Sequence, residues 1–292
     1  SGVEAFLDHL EVGLHRVNWL WANPDVLKKA GVSAMPQTWP EFFAAADQIQ
    51  TSGAIALAHG GQSWQDFTLF ESVALGLGGV QYYQDALVKL DAKALNSSTT
   101  TQVLETFRKL KGYTDKASAG RDWNLTTALI IQGQAGFQFM GDWAKGEFSA
   151  AGKQSGRDYL CAAAPGTANA FSFNVDSFIL FKLKDAQAEQ AQQALASAIL
   201  SPSFQEVFNQ NKGSIPVRLG HPMDAFDACA QRSAQDFMAS AESGTLVPSI
   251  AHSMAVSPAV QGAMQDVVTQ FWNDSKLSVA EAQKRLLAAA RQ

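Results

Sequence analysis

The chain has 292 residues, 47% of them hydrophobic and 17% charged, with a net charge of −5. That length can bury a substantial core in one large domain or two small ones, and the composition excludes a disordered chain. The acidic balance, without a basic run, argues against nucleic acid or an anionic membrane as partner. No uninterrupted apolar stretch approaches a membrane span and no signal peptide opens the chain, which reads as cytosolic or as a mature, processed form.

In chain order, Glu4 to Glu11 reads as a short helix with Phe6, Leu7 and Leu10 on one face. Thr38-Trp39-Pro40-Glu41 has the form of a capping box with proline in the first turn, opening a helix that turns Phe42, Phe43, Ala46 and Ile49 inward. Ala54 to Ala58 is a short apolar run delivering the loop His59-Gly60-Gly61. Phe67 to Leu77 is helical, with Gly78-Gly79 as its expected C-cap. Ser98 to Lys116 and Thr126 to Gln132 are further helices. Ala135 to Met140 alternates as a strand, and Gly141-Asp142-Trp143 ends it. Tyr159 to Ala164 and Phe171 to Phe181 are β-prone. Ala186 to Leu200 is an amphipathic helix, Pro202 opens another that closes at Asn211-Lys212-Gly213, and Ser278 to Glu281 caps the last helix. Alternation of strands and helices points to an α/β fold.

Most catalytic signatures are absent. There is no phosphate-binding G-x-x-x-x-G-K-[ST], no G-x-S-x-G and no H-E-x-x-H, and the five histidines never stand at metal-ligand spacing. No cofactor or metal is therefore expected. Four features remain. Trp143 lies at a strand mouth, where an indole face can pack on the apolar C–H face of a sugar ring; the competing reading is hydrophobic core. Asn174 and Asp176 share one side of an apolar strand by period-two alternation. An ionised carboxylate there offers about four lone-pair sites for adjacent hydroxyls; a structural hydrogen-bonded pair is the alternative. Lys212 ends a helix, where a lysine also offsets the helix dipole. His252 sits in the loop Pro248-Ser249-Ile250-Ala251-His252-Ser253, where an ordinary loop histidine is the plain alternative. Cys161 and Cys229 are either two buried thiols or one disulfide.

Taken together, these segments carry a resemblance. The block His15 to Gly31, then Phe173-Asn174-Val175-Asp176-Ser177-Phe178, Asn211-Lys212-Gly213-Ser214-Ile215-Pro216 and Val247-Pro248-Ser249-Ile250-Ala251-His252, resembles periplasmic glucose-binding proteins of ABC importers, in the extracellular solute-binding protein family 1. It runs from about His15 to the C-terminus. It implies an α/β fold of the periplasmic-binding-protein type II kind, two lobes around a ligand cleft, with the second lobe intact and the first partial. The implied division is a stub over 1–14, a main lobe over 15–167, a returning first-lobe segment over 168–219 and a helical segment over 220–292 that completes the main lobe. By the same resemblance Asn174, Asp176, Lys212 and His252 hydrogen-bond the sugar, Trp143 stacks on it, and His59 and Gln62 stand at the cleft edge. It further implies a periplasmic location, a Cys161–Cys229 disulfide, a monosaccharide ligand and the membrane subunits of an importer as partners.

The family's first lobe normally opens with paired aromatics, an acidic residue and a later lysine, and no aromatic pair precedes Ser1-Gly2. About a hundred residues, a small domain's worth, are thus expected to be missing. Uncovered strand edges and apolar faces would follow, so a dimer or swapped homo-oligomer and weakened affinity are expected. Two other functions stay open. Ser177, Ser214 and Ser253 each adjoin one of the groups Asp176, Lys212 and His252 or its neighbour, as a hydrolase or esterase would need. A lobe with an exposed face also suits an oligomeric protein-interaction module.

Overall fold

The computed structural model describes residues 8–218 and 220–292. In chain order the elements are β1 (Asp8–Arg16), β2 (Trp19–Ala22), α1 (Pro24–Lys29), α2 (Trp39–Thr51), β3 (Ile55–Ala58), α3 (Ser63–Tyr83) running into a π-helical turn (Gln84–Val88), α4 (Ala92–Leu95), α5 (Ser98–Lys111), α6 (Trp123–Ile131), β4 (Ala135–Phe139), α7 (Ala144–Ala150) and β5 (Leu160–Ala163). There follow β6 (Phe171–Leu180), α8 (Ala186–Ile199), α9 (Pro202–Lys212), α10 (Ala228–Ser243), β7 (Leu246–Pro248), α11 (Pro258–Asn273) and α12 (Val279–Ala289).

The strands form two sheets. One has the order β3-β4-β2-β5, with β3 parallel to β4 and β2 antiparallel to both its neighbours. The other has the order β1-β6-β7, with β1 antiparallel and β7 parallel to β6. The chain passes between them twice, through Val17 and Asn18 after β1 and through the segment from β5 to β6. Helices α2, α3, α5, α11 and α12 cover the four-stranded sheet and enclose the main core, which includes Phe42, Phe70, Phe107, Phe137, Phe271 and Leu286. The three-stranded sheet has smaller clusters, Leu14 with Ile215 and Phe226 on one side and Leu10 with Val12 and Ile199 on the other.

Local signals explain many element ends. Thr38 accepts from the Glu41 N–H and Glu41 accepts from the Thr38 N–H, the reciprocal capping box expected at α2. Ser278 accepts from the Glu281 N–H at α12. Each such cap is worth about 1 kcal/mol.

Two expectations need correction and one is kept. Asp8–Glu11 are strand, not helix; the rest of the expected Glu4–Glu11 helix falls on residues 1–7, outside those described. Pairing of β1 with β6, a strand far along the chain, overrides the helical spacing of Leu10 with its upstream neighbours. The expected end at Gly78-Gly79 is kept within α3: the backbone leaves the helical region at Gly79, with φ at +73°. A second helical stretch then runs to the buried Tyr83. Last, the segment 220–292 does not act as one helical completion of the main lobe. α10 and β7 join the three-stranded sheet through Phe171, Ala230 and Phe237, while α11 and α12 return to the main core.

Candidate functional site

The site lies where the three-stranded sheet meets the turn after β4 and the loop after β7. Its lining is His15, Trp64, Trp143, Asn174, Asp176, Lys212 and His252, around a cavity of about 220 Å³. That is below the roughly 300–1,000 Å³ of pockets for drug-sized ligands, so it suits something smaller. A larger groove of about 880 Å³ runs beside Leu14, Val175, Ile215, Met223 and Phe237. Leu14 and Val175 alternate with His15 and Asn174 along paired strands, so that groove occupies the opposite face of the sheet.

Pairing of β1 with β6 sets the first wall. His15 is opposite Asn174 and Gly13 opposite Asp176, so both polar residues of β6 share the His15 side. His15 Nε2 is 3.2 Å from Asp176 Oδ2, and Asn174 Nδ2 donates to Asp176 Oδ1 at 3.2 Å. Lys212 Nζ reaches Asp176 Oδ2 at 3.1 Å from the end of α9. Gly213 makes this reach possible: its φ is +93°, and a side chain there would start 2.2 Å from the Asp142 carbonyl oxygen. Only glycine lets α9 end against the 141–143 turn.

Behind this wall His15 Nδ1 is hydrogen-bonded to Asp142 Oδ1, and the Arg16 N–H donates to Asp142 Oδ2 at 2.8 Å. Burial works against a charged His15, but the Asp142 and Asp176 carboxylates on either side outweigh it and raise its pKa to about 9. The same hydrogen bond from His15 holds Asp176 well below the ordinary carboxylate range, against partial burial and with help from Lys212. At neutral pH the wall is an imidazolium and an ammonium flanking a carboxylate.

The second wall is neutral. The Trp143 ring folds back over Gly141, where a side chain would meet the indole at 2.1 Å. Its centroid is 5.5 Å from His15, 6.3 Å from Trp64 and 4.8 Å from His252. Trp64 is held by a hydrogen bond of its Nε1 to Gln62 Oε1 at 3.1 Å. His252 Nδ1 is 2.9 Å from Ser249 Oγ, and its Nε2 is buried without a protein partner among the described residues. Burial, then the nearby charge of His15, lowers the His252 pKa to about 3 despite the pull of Asp176. It stays neutral.

Five sequence candidates therefore meet in one pocket: Trp143, Asn174, Asp176, Lys212 and His252. Two others do not line it. His59 is buried, 2.9 Å from Asp66 Oδ1 and packed on Trp272, so it is a core histidine rather than a cleft-edge group. Gln62 donates to Asp122 Oδ1 at 2.7 Å and accepts from Trp64 and Gln65, which orients Trp64 instead of facing the cavity. Two lining residues, His15 and Trp64, were not among the expected site residues. Reading β1 as a strand would have flagged His15, a titratable residue that alternates with Leu14; the irregularity between Glu11 and Gly13 then puts Leu10 on the His15 side. Trp64 carries no separate signal in a chain with seven tryptophans.

Cys161 of β5 and Cys229 of α10 form a disulfide that ties the two sheets' elements together. The serines considered for hydrolysis are placed elsewhere: Ser214 donates to Asn209 and Ser253 to Gln261, while Ser177 faces away from Asp176 across the strand. The serine that meets His252 is Ser249, fully buried and donating to Glu71 Oε1 at 2.5 Å. A hydroxyl committed to a carboxylate in this order is not poised as a nucleophile. Among the described residues no group of acids, histidines or cysteines is disposed to hold a metal ion, and no helix is long and apolar enough to cross a membrane.

A polyol with one apolar face fits this pairing of a hydrogen-bonding wall with an indole wall. The pattern of the bacterial extracellular solute-binding proteins matches residues 11–206. The chain belongs to that family. Its place is accordingly the periplasm or the cell exterior. Over 278 residues it is 45% identical to a probable sugar-binding periplasmic protein of Brucella suis, covering 95% of this chain and 65% of that protein. A protein of the same description from Rhizobium meliloti is 43% identical, with 95% and 66% covered. The chain thus spans about two thirds of the length of these relatives. Among solved structures, a chitin oligosaccharide binding protein superposes with a TM-score of 0.80 over 97% of this chain and 70% of that one, at 19% identity. The fold is the periplasmic-binding-protein type II α/β fold, as the sequence resemblance implied.

Proposed function

We propose that the pocket binds a monosaccharide and that the chain is the ligand-recognising part of an ABC importer's solute-binding protein. One observation carries the reading. The Asp176 carboxylate is kept ionised by His15 and Lys212 and stands across a small cavity from the indoles of Trp143 and Trp64. Adjacent sugar hydroxyls donate to the carboxylate, and the C–H face of the ring packs on the indoles. Asn174 and Lys212 supply donors around the rim, and His252 supplies one ring nitrogen. The relatives support the setting: four are described as probable sugar-binding periplasmic proteins and one from Pyrococcus horikoshii as an uncharacterized ABC transporter extracellular-binding protein.

D-glucose is the first ligand to test, from the resemblance of residues 173–178, 211–216 and 247–252. On the same footing, residues 15–167 form most of one lobe and 168–219 part of the other. Self-association is proposed as well. Phe178, Ile179, Phe181, Leu195, Leu200 and Val207 are large apolar side chains left exposed on β6, α8 and α9 and on the connections either side of α8. A second copy covering them would give a dimer; a monomer at all concentrations by light scattering would contradict this.

The binding proposal is tested by tryptophan fluorescence with D-glucose, D-galactose and D-xylose. A saturable change with one of them, centred in the micromolar to millimolar range, is expected from an indole wall. No change with any of the three up to tens of millimolar would overturn it.

A further inference from the structure

Behind the neutral wall, Glu71 and Ser249 form a buried relay outside the pocket lining that leads to His252. Glu71, on α3, is 1% exposed. Its Oε2 accepts the Ile250 and Ala251 backbone N–H groups at 3.0 and 3.3 Å. The Tyr83 hydroxyl lies 3.1 Å from the same oxygen and 3.0 Å from the Pro248 carbonyl. Glu71 Oε1 accepts the Ser249 hydroxyl at 2.5 Å, and Ser249 Oγ is 2.9 Å from His252 Nδ1. His252 then ends the chain at the pocket, its Nε2 without a protein partner among the described residues.

The direction of this chain follows from proton counting. A serine hydroxyl has one proton. If an ionised Glu71 takes it, Ser249 can only accept from His252, so the imidazole proton must sit on Nδ1. A neutral imidazole has one N–H, and Nε2 is then a bare lone pair. The Ile250 and Ala251 N–H groups fix Oε2 as an acceptor, so Oε1 is the only carboxylate oxygen whose role can change.

We propose that Glu71 is a positioning residue that sets the specificity of the pocket: through Ser249 it fixes the His252 proton on Nδ1, so that Nε2 demands a hydrogen-bond donor from the ligand. This rests on the reading of the pocket as a sugar site, where the donor is one particular hydroxyl. Burial pushes Glu71 up to about 7 against the pull of Ser249 and the loop N–H groups. Above that pH the carboxylate is ionised and the chain runs as described.

The substitution Glu71→Gln reverses the chain without changing its shape. The amide oxygen takes the Oε2 position, because the Ile250 and Ala251 N–H groups require an acceptor there. The amide NH2 then faces Ser249 and donates to it, which turns the Ser249 proton towards His252 Nδ1. The imidazole proton moves to Nε2, and the pocket gains a donor where it had an acceptor.

Histidine ring ¹⁵N–¹H long-range correlation spectra of the ligand-free 292-residue protein at pH 8.5 read this directly. In the wild type, His252 should carry its proton on Nδ1 with Nε2 pyridine-like; in Glu71→Gln the two nitrogens should exchange character. The wild-type spectrum alone decides if the variant fails to fold, since a proton on Nε2 there overturns the proposal. The ligand arm uses D-glucose and its monodeoxyfluoro derivatives, because fluorine accepts weakly but cannot donate. At one ring position the fluorine should weaken binding by on the order of tenfold to a hundredfold in the wild type, the cost of leaving a buried acceptor unpaired, and by much less in Glu71→Gln. Equal losses in both proteins at every position would overturn the specificity role. Nδ1 protonation with no binding of any sugar would uphold the proton placement and overturn the sugar reading alone.

Discussion

Two histidines face the same small cavity and are driven in opposite directions. His15 stands between two carboxylates and holds its charge up to about pH 9, whereas His252 stands among indoles beside a cation and stays neutral down to about pH 3. His15 is buried and His252 is half-buried with its Nε2 inaccessible, so burial alone does not decide the charge of an imidazole. The neighbours do: Asp142 and Asp176 repay the desolvation of His15, while His252 is met by Ser249, two aromatic rings and the field of His15. The result is a charged wall and an uncharged wall; on the proposed reading the first orients hydroxyls and the second takes an apolar face. A sugar needs both.

The contrast is most sharply broken at Asp142. Asp142→Asn leaves the buried His15 cation with one carboxylate fewer, and the fold should lose about 4 kcal/mol. Denaturant unfolding checks this, and an unchanged midpoint would mean that Asp142 does not carry the charged wall.

pH separates the two histidines without mutation. His15 has a folded pKa raised above 6.5, so its contribution is fully present below about 6.5 and is lost as pH rises through about 9, on the order of 3 kcal/mol. His252 has a folded pKa lowered to about 3, so the unfolded chain gains its proton first and stability falls as pH drops below 6.5. A thermal-unfolding profile should show both limbs. His15→Phe should lose the alkaline limb and His252→Phe should reduce the acid one, with the other limb kept in each case.

Trp143→Ala removes an indole from the neutral wall. It should weaken sugar binding by about 2 kcal/mol, roughly thirtyfold, and leave the alkaline limb in place. Calorimetric titration measures the first and thermal unfolding the second. The smallest effect is expected at Lys212, which is 42% exposed. Lys212→Ala should cost under about 1 kcal/mol in stability, because a solvated pair contributes little and His15 still holds Asp176.

The charged wall was more legible in the sequence than the neutral one. Asn174 and Asp176 interrupt an apolar, β-prone run at period two, a pattern that by itself places them on one face. Lys212 before Gly213 marks a helix end, and the α9 C-cap is indeed left-handed at Gly213. His15 was hidden because its strand pairs with a distant segment, while helical spacing around Leu10 suggested otherwise; His15 lies opposite Asn174 and is 161 positions from Asp176. Trp143 was marked by its place at a strand mouth, but Trp64 looks the same in sequence as Trp19 and Trp21, which are buried in the core. His59 failed as a site residue because Asp66, one helical turn into α3, closes on it, a contact that depends on how the loop folds back. Short-range signals such as capping boxes and strand alternation survive folding. Which aromatic ring faces a cavity is decided by packing from distant segments.

The most direct measurement is isothermal titration calorimetry with D-glucose, into the wild-type chain and into Asp176→Ala under the same conditions. Saturable heat in the wild type that disappears or weakens at least tenfold in the variant is expected, since the carboxylate is the acceptor around which the charged wall is built. Equal heats in both proteins, or none in either, would contradict the assignment of this pocket as the sugar site.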